Sequence, residues 1–294
     1  MSRKWGGQSR GGLFGYLFFV YLIRILGIRF AYFFLGFVVV YFIPFAPKAT
    51  RSTWKYAREI KKLGFWSSVE MLFTNYYRLG QILIDKVAIS MGKTDSYRFE
   101  FENYEEFLSV LNQDTGVVMI GAHVGNWEIG APFFDEYGKK INIVMFDNEH
   151  QRIKEVLERN SKTQKFKVIP VNKDNLNHVF AITKALSMHE YVCFQGDRAV
   201  HEEKLLESSL LGVKAKFPMG PFLLASKMRT PVVFYFAMRE KHRTYRFKFF
   251  TMDSVPRVKG IRPEQILLDK YTDALDKVLK AYPEQWFNYY DFWK

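Results

Sequence analysis

The 294-residue chain carries 43 Lys and Arg against 30 Asp and Glu, a net charge of +13, and 18% of it is aromatic, with 29 Phe. That length holds one large domain or two small ones, with ample core. A single cysteine, Cys193, excludes an intramolecular disulfide and a Cys-rich metal site. The positive charge calls for anionic partners, and the aromatic excess points to surface that faces lipid or a lipid-like ligand.

In chain order, residues 11–46 come first and are almost wholly apolar, interrupted only by Arg24 and Arg29. The uncharged run from Phe30 to Pro47 is borderline for a spanning helix, which needs about 20 residues. Both flanks are basic, so the positive-inside rule gives no orientation for one span. Two short helices that dip into one leaflet and return fit better, with a single span as the alternative. Ser52–Ile89 reads as helix with a break near Gly64. Alternation over Tyr97–Glu102 predicts a strand, and Asn103 caps a short helix to Leu111. Val117–Ala122 is a continuous apolar strand, with a helix from about Asn126 to Tyr137. Strand Ile141–Phe146 and helix Glu149–Ser161 follow. Phe166–Val171 and Tyr191–Phe194 read as strands around a helix near Leu176–Met188. Val213–Phe217 reads as a strand, and Pro218 opens a helix to Met228. Pro231–Met238 and Tyr245–Met252 form a strand pair around the turn "REKHRT". The last helix runs from Pro263 to Ala281.

Strands alternating with helices imply an α/β fold, a mixed, largely parallel sheet flanked by helices. Residues 1–50 would form an N-terminal membrane-inserted helical anchor, and 51–294 one catalytic domain. Ligands in such sheets bind at the carboxyl ends of strands. His123 lies just past one predicted strand end, and "QGDR" (Gln195–Arg198) just past another.

His123 and Glu128 stand five residues apart in "GAHVGNWEIG". On one helix they would point about 140° apart. With His123 on the loop and Glu128 on the first helical turns they can meet, and Gly121 and Gly125 permit the tight turn. A carboxylate on one ring nitrogen fixes the imidazole tautomer and leaves the other nitrogen free to accept a proton from a hydroxyl. Spacing alone leaves open the plainer alternative of a satisfied buried histidine and a solvated glutamate. Arg198 suits a phosphate or a developing oxyanion, or equally a local ion pair. Asp197 reads as a residue that orients the loop. Asp147, Glu149 and His150 follow no metal-ligand spacing, so no metal is expected, and Asp147 or Asn148 reads as a helix cap.

"GAHVGNWEIG" resembles the H-x4-D/E block of glycerolipid acyltransferases, in the form found in the bacterial lipid A biosynthesis (late) acyltransferases. "GVKAKFPMGPFLLASKMRTPVVFYFAMR" and the closing "YPEQWFNYYDFW" resemble later segments of that family, so the likeness covers most of the chain. It implies a membrane-bound O-acyltransferase in which His123, backed by Glu128, deprotonates an acceptor hydroxyl that attacks a fatty-acyl thioester. The implied partners are acyl carrier protein as donor, a lipid A-type precursor as acceptor, and the cytoplasmic face of the inner membrane, with no cofactor. Gly125, Asn126, Asp197 and Arg198 would contact substrate, and Arg152 is the nearest substitute for an arginine that many members carry in an Arg-Pro pair. Many members also have Asp-Gln where this chain has "GDR". The alternatives are acylation of another lipid, or a basic membrane-surface binding protein without turnover. Basic clusters interleaved with aromatics match no nucleic-acid motif. The cluster Arg239, Lys241, Arg243, Arg246 and Lys248 is a candidate dock for the acidic carrier, or else an ordinary solvated hairpin.

Overall fold

The computed structural model describes residues 12–130, 138–146, 166–171, 176–198 and 204–293. The apolar N-terminal segment winds as helix α1 (Gly12–Phe45), broken at Gly27, whose φ of 82° lies in the left-handed region. The Phe18 and Phe34 rings stand 5.1 Å apart. On one straight helix sixteen residues would separate them by about 24 Å, so the chain doubles back at Gly27. By length and composition Leu17–Phe45 would suffice to cross a bilayer. The reversal leaves the longer limb at roughly 27 Å, short of the ~30 Å hydrocarbon thickness. This is the pair of short helices that the basic flanks suggested.

One side of the hairpin is core and the other is bare. Ile23, Ile28, Ala31, Leu35 and Val39 are buried, whereas Ile25, Phe33, Phe37 and Tyr41 are exposed. The buried side rests on helix α3 (Phe65–Ser90), reached through α2 (Pro47–Lys55) and a π-helical turn at Tyr56–Ile60. Leu35 comes so near α3 that a Cβ on Gly80 would lie 2.4 Å from its Cδ1. The hairpin therefore shares a hydrophobic core with the sheet instead of standing apart from it.

Among the described residues, seven strands form the main sheet. They are β1 (Arg98–Glu102), β2 (Val117–Gly121), β3 (Ile141–Phe146), β4 (Phe166–Val171), β5 (Tyr191–Gln195), β8 (Val232–Arg239) and β9 (Thr244–Met252), in the order β1-β9-β8-β2-β5-β3-β4. Strands β2, β3, β4, β5 and β8 run parallel, and β9 and β1 run the opposite way. The central strands are buried on both faces, which explains their continuous apolar sequences. Val117 and Met119 face the core shared with α1, α3 and α4 (Tyr104–Leu111). Val118 and Ile120 face the core built by α5 (Asn177–Ser187), α6 (Met219–Met228) and α7 (Pro263–Ala281). Strands β6 (Leu205–Leu210) and β7 (Val213–Pro218) make a separate hairpin.

From β1 onward the sequence reading anticipated the described elements with three departures. β6 was not foreseen, because "LLESSL" carries too few β-branched residues to announce a strand. The helix expected from Asn126 begins instead as a 3₁₀ turn at Trp127–Gly130, and residues 131–137 lie outside the described residues. The helix at 149–161 lies outside them as well. Asn103 precedes α4 with a left-handed backbone, and its amide donates to the Phe249 carbonyl instead of capping the helix.

Candidate active site

In-register parallel pairing sets the geometry. Gly121 at the end of β2 lies beside Gln195 at the end of β5. Two residues further along each chain stand His123 and Asp197, so adjacent strands about 4.8 Å apart deliver the two side chains to one place. His123 Nδ1 and Asp197 Oδ1 are 2.8 Å apart. A carboxylate can only accept, so Nδ1 carries the proton and Nε2 is left as the proton acceptor. Asp197 is fully buried, and the imidazole is about one-fifth exposed.

The second carboxylate oxygen is also engaged. Asp197 Oδ2 accepts from the His123 backbone N–H at 3.0 Å and from Trp286 Nε1 at 3.3 Å. Burial opposes ionisation here. The charge of His123 when protonated, its side-chain and backbone hydrogen bonds, and the Arg198 guanidinium together outweigh burial and hold the carboxyl at about 2. Asp197 therefore stays ionised and keeps the imidazole in one tautomer and one orientation.

The histidine loop is clamped from both sides. Gly125 donates its N–H to the Gln285 carbonyl at 2.9 Å, and Phe287 donates to the His123 carbonyl at 2.9 Å. Asn126 donates to Ala237 at the end of β8 at 2.8 Å. Gly125 has φ +61°, and a Cβ there would sit 2.2 Å from the Ala237 oxygen, so only glycine fits. The Gln285 amide clasps the Arg239 backbone, accepting from its N–H at 2.9 Å and donating to its carbonyl at 2.7 Å. Behind the loop, Gly196 admits the Tyr271 ring, whose hydroxyl donates to the Gly121 carbonyl at 2.9 Å.

Several expectations change. Glu128, placed by sequence against the imidazole, instead pairs with Lys86 at 2.9 Å and is more than a third exposed. Nδ1 is served by Asp197, a residue brought close by strand order and not by chain proximity. The backbone N–H groups of Gly125 and Asn126 are used inside the protein, so these residues shape the loop. Arg198 donates from Nη2 to the Phe287 carbonyl at 2.7 Å, which ties the closing segment to the Asp197 loop. Arg152 lies outside the described residues, as do Asp147, Glu149 and His150. No group of three or more metal-ligating side chains occurs among the described residues. Cys193 is a buried thiol, pushed up to about 12 by burial.

The basic hairpin is largely neutralised. Arg239 is buried, its Nε donating to Asp85 at 2.7 Å. The Tyr245 hydroxyl gives Asp85 a further bond at 2.5 Å and that of Tyr97 one at 3.1 Å, while Tyr32 contacts the same carboxylate. Arg246 lies between Glu240, Glu100 and Glu102, and Lys248 contacts Glu102 at 2.6 Å. Parallel pairing of β1 with β9 sets Glu100 opposite Arg246 and Glu102 opposite Lys248, so Arg239, Arg246 and Lys248 are paired, while Lys241 and Arg243 take part in no ion pair among the described residues.

A tautomer-fixed histidine at the carboxyl edge of a largely parallel sheet has the geometry of a proton acceptor. The chain belongs to the bacterial lipid A biosynthesis acyltransferase family, whose model matches residues 8–294. It is thus an acyltransferase, and the alternative of a binding protein without turnover falls away. No curated relative matches the chain.

Proposed function

We propose that this protein moves a fatty acyl group from acyl carrier protein to a hydroxyl of a lipid A-type precursor at the cytoplasmic face of the inner membrane, with no cofactor and no nucleic-acid partner. The observation that carries the chemistry is the 2.8 Å contact between His123 Nδ1 and the buried, ionised Asp197. In this reading Nε2 takes the acceptor's proton as its oxygen attacks the thioester carbonyl. The tetrahedral adduct then collapses, the carbon–sulfur bond breaks, and the leaving thiolate recovers the proton from the imidazolium. Asp197 stabilises the cation that exists between these events. Glu128, paired with Lys86, ties the histidine loop to α3. Arg198 positions the closing segment next to Asp197. The bare apolar side of the α1 hairpin and the surplus positive charge support attachment to an anionic membrane.

The test supplies purified protein with acyl carrier protein thioester and lipid A precursor. It follows acyl-ester formation by mass spectrometry. Acylated precursor should form with wild type, and a folded His123→Ala protein should be slower by ~10²–10⁴-fold. Absence of transfer to the precursor hydroxyl, or near-normal turnover by His123→Ala, refutes the reading.

A further inference from the structure

The chain between the apolar hairpin and α3 is strongly cationic. Residues 47–63 carry Lys48, Arg51, Lys55, Arg58, Lys61 and Lys62 against Glu59 alone. Spacings of three, four and three set the first four of these along one broad side of α2 and the π-helical turn. Thr53, Tyr56 and Ala57 turn the other side into the protein. Lys48, Arg51, Arg58 and Lys62 are exposed. Lys55 is paired with Asp291 at 2.7 Å, and Arg58 donates to the Leu63 carbonyl at 2.5 Å. Lys48, Arg51, Arg58 and Lys62 make no ion pair among the described residues. They differ in this from Arg246 and Lys248, which neighbouring glutamates neutralise.

Apolar rings bracket the stripe at both ends. Before it, the exposed Tyr41 and Phe45 rings stack at 4.7 Å. After it, Phe65 is 56% exposed and Trp66 79% exposed at the start of α3. Phe65 lies 5.5 Å from Trp54, a residue of α2 itself, so rings and cations share one surface. A soluble acidic protein would meet the cations and have to cover the rings as well. A lipid leaflet accepts both, because rings enter the interfacial zone while lysine and arginine reach the phosphates.

We propose that α2, the π-helical turn and the first turn of α3 form a headgroup site for anionic phospholipid. Lys48, Arg51, Arg58 and Lys62 face the phosphates, and Phe65 and Trp66 insert beside them. The proposal rests on the reading that the α1 hairpin sits in a bilayer, since α2 leaves that hairpin at Pro47. It adds a second attachment with a lipid preference of its own. That attachment is tied to the reaction site. Ser52 donates to the Tyr290 carbonyl at 2.5 Å and Lys55 holds Asp291, both in the closing segment whose Phe287 bonds the His123 loop. Headgroup contact along α2 therefore sets where the histidine loop stands relative to the leaflet.

The experiment floats full-length protein with vesicles of phosphatidylcholine alone and of phosphatidylcholine mixed with phosphatidylglycerol. Wild type should bind the mixed vesicles more tightly, and added salt should remove the difference. Each exposed cation near an anionic surface strengthens binding about fivefold, so Lys48→Gln/Arg51→Gln/Arg58→Gln should lose ~10²-fold on mixed vesicles and nothing on phosphatidylcholine. The double variant Lys48→Gln/Arg51→Gln keeps the Arg58 bond to Leu63; it should lose ~25-fold and serves if the triple variant does not fold. Trp66→Ser should weaken binding to both vesicle types several-fold. A second titration, in neutral detergent, measures soluble acyl carrier protein against wild type and the triple variant. Loss of carrier binding with full affinity for mixed vesicles assigns the stripe to an acidic protein and overturns the proposal. So does undiminished vesicle binding by the charge variants or by Trp66→Ser. Wild type that binds both vesicle types equally overturns the headgroup site and leaves the hairpin reading standing. Wild type that binds only mixed vesicles supports the headgroup site and sinks insertion of the hairpin. Binding to neither overturns both.

Discussion

Replacing Asp197 by asparagine isolates the part of the site that the structure defines best. Three N–H groups converge on this carboxylate: His123 Nδ1 on one oxygen, and the His123 backbone and Trp286 Nε1 on the other. Asparagine supplies one oxygen and one NH₂. If its oxygen faces the imidazole, the NH₂ confronts two donors and four polar hydrogens are left crowded and unpaired. If its oxygen faces the backbone and indole donors, both are satisfied, and the NH₂ donates to an unprotonated Nδ1. The second arrangement keeps all three hydrogen bonds and wins. It also moves the imidazole proton to Nε2, the atom meant to accept one. A wrong tautomer costs a histidine base about 10⁴-fold, equivalent to roughly 5 kcal/mol of barrier. Turnover of Asp197→Asn should fall by ~10³–10⁴-fold with the fold retained. Nitrogen-15 spectra of labelled histidine should show the switched tautomer at His123. Glu128→Gln should leave that tautomer unchanged, because it does not touch Nδ1. A folded Asp197→Asn protein with turnover within tenfold of wild type, or with Nδ1 still protonated, refutes the reasoning.

Two further outcomes follow from buried charge. The folded Asp197 carboxyl titrates at about 2 against an ordinary 3.8, so between these values the unfolded chain binds more protons and stability rises with pH. The group's contribution, roughly 2 kcal/mol, should be complete above pH ~4 and lost by pH ~2, and denaturant melts of wild type and Asp197→Asn across that range should differ in slope. Asp85→Ala leaves Arg239 buried without its anion, which should cost about 3–5 kcal/mol; adding Arg239→Met should restore part of it, and a double variant no more stable than the single would contradict the pairing.

Much of the site's address was readable in the chain. His123 and Asp197 each follow an apolar run too short and too uniformly hydrophobic to be anything but a central strand, so the two loops were identifiable as strand ends. Which carboxylate would meet the imidazole was not. Glu128 is the nearer acid along the chain, whereas Asp197 becomes the neighbour only because β5 inserts between β2 and β3. That is a matter of strand order, to which periodicity is blind. The ion pairs of the basic hairpin were hidden for the same reason. Arg246 and Lys248 read as free cations until β1, far away in sequence, lays Glu100 and Glu102 alongside them. Among the closing aromatics, Trp286, Phe287 and Phe292 are buried, and the indole nitrogen of Trp286 also serves Asp197. Composition cannot separate an aromatic that packs from one that also donates a hydrogen bond.

The clamp on the histidine loop has a consequence for biosynthesis. The loop is synthesised well before its hydrogen-bond partners, Gln285 and Phe287, and Asp197 well before the Trp286 indole that completes its coordination. The apolar hairpin precedes all of them. A nascent chain can thus engage its hydrophobic surroundings long before it possesses an ordered His123. For the acyl transfer we propose, this order keeps a chain that still lacks the clamp from spending activated acyl groups on water.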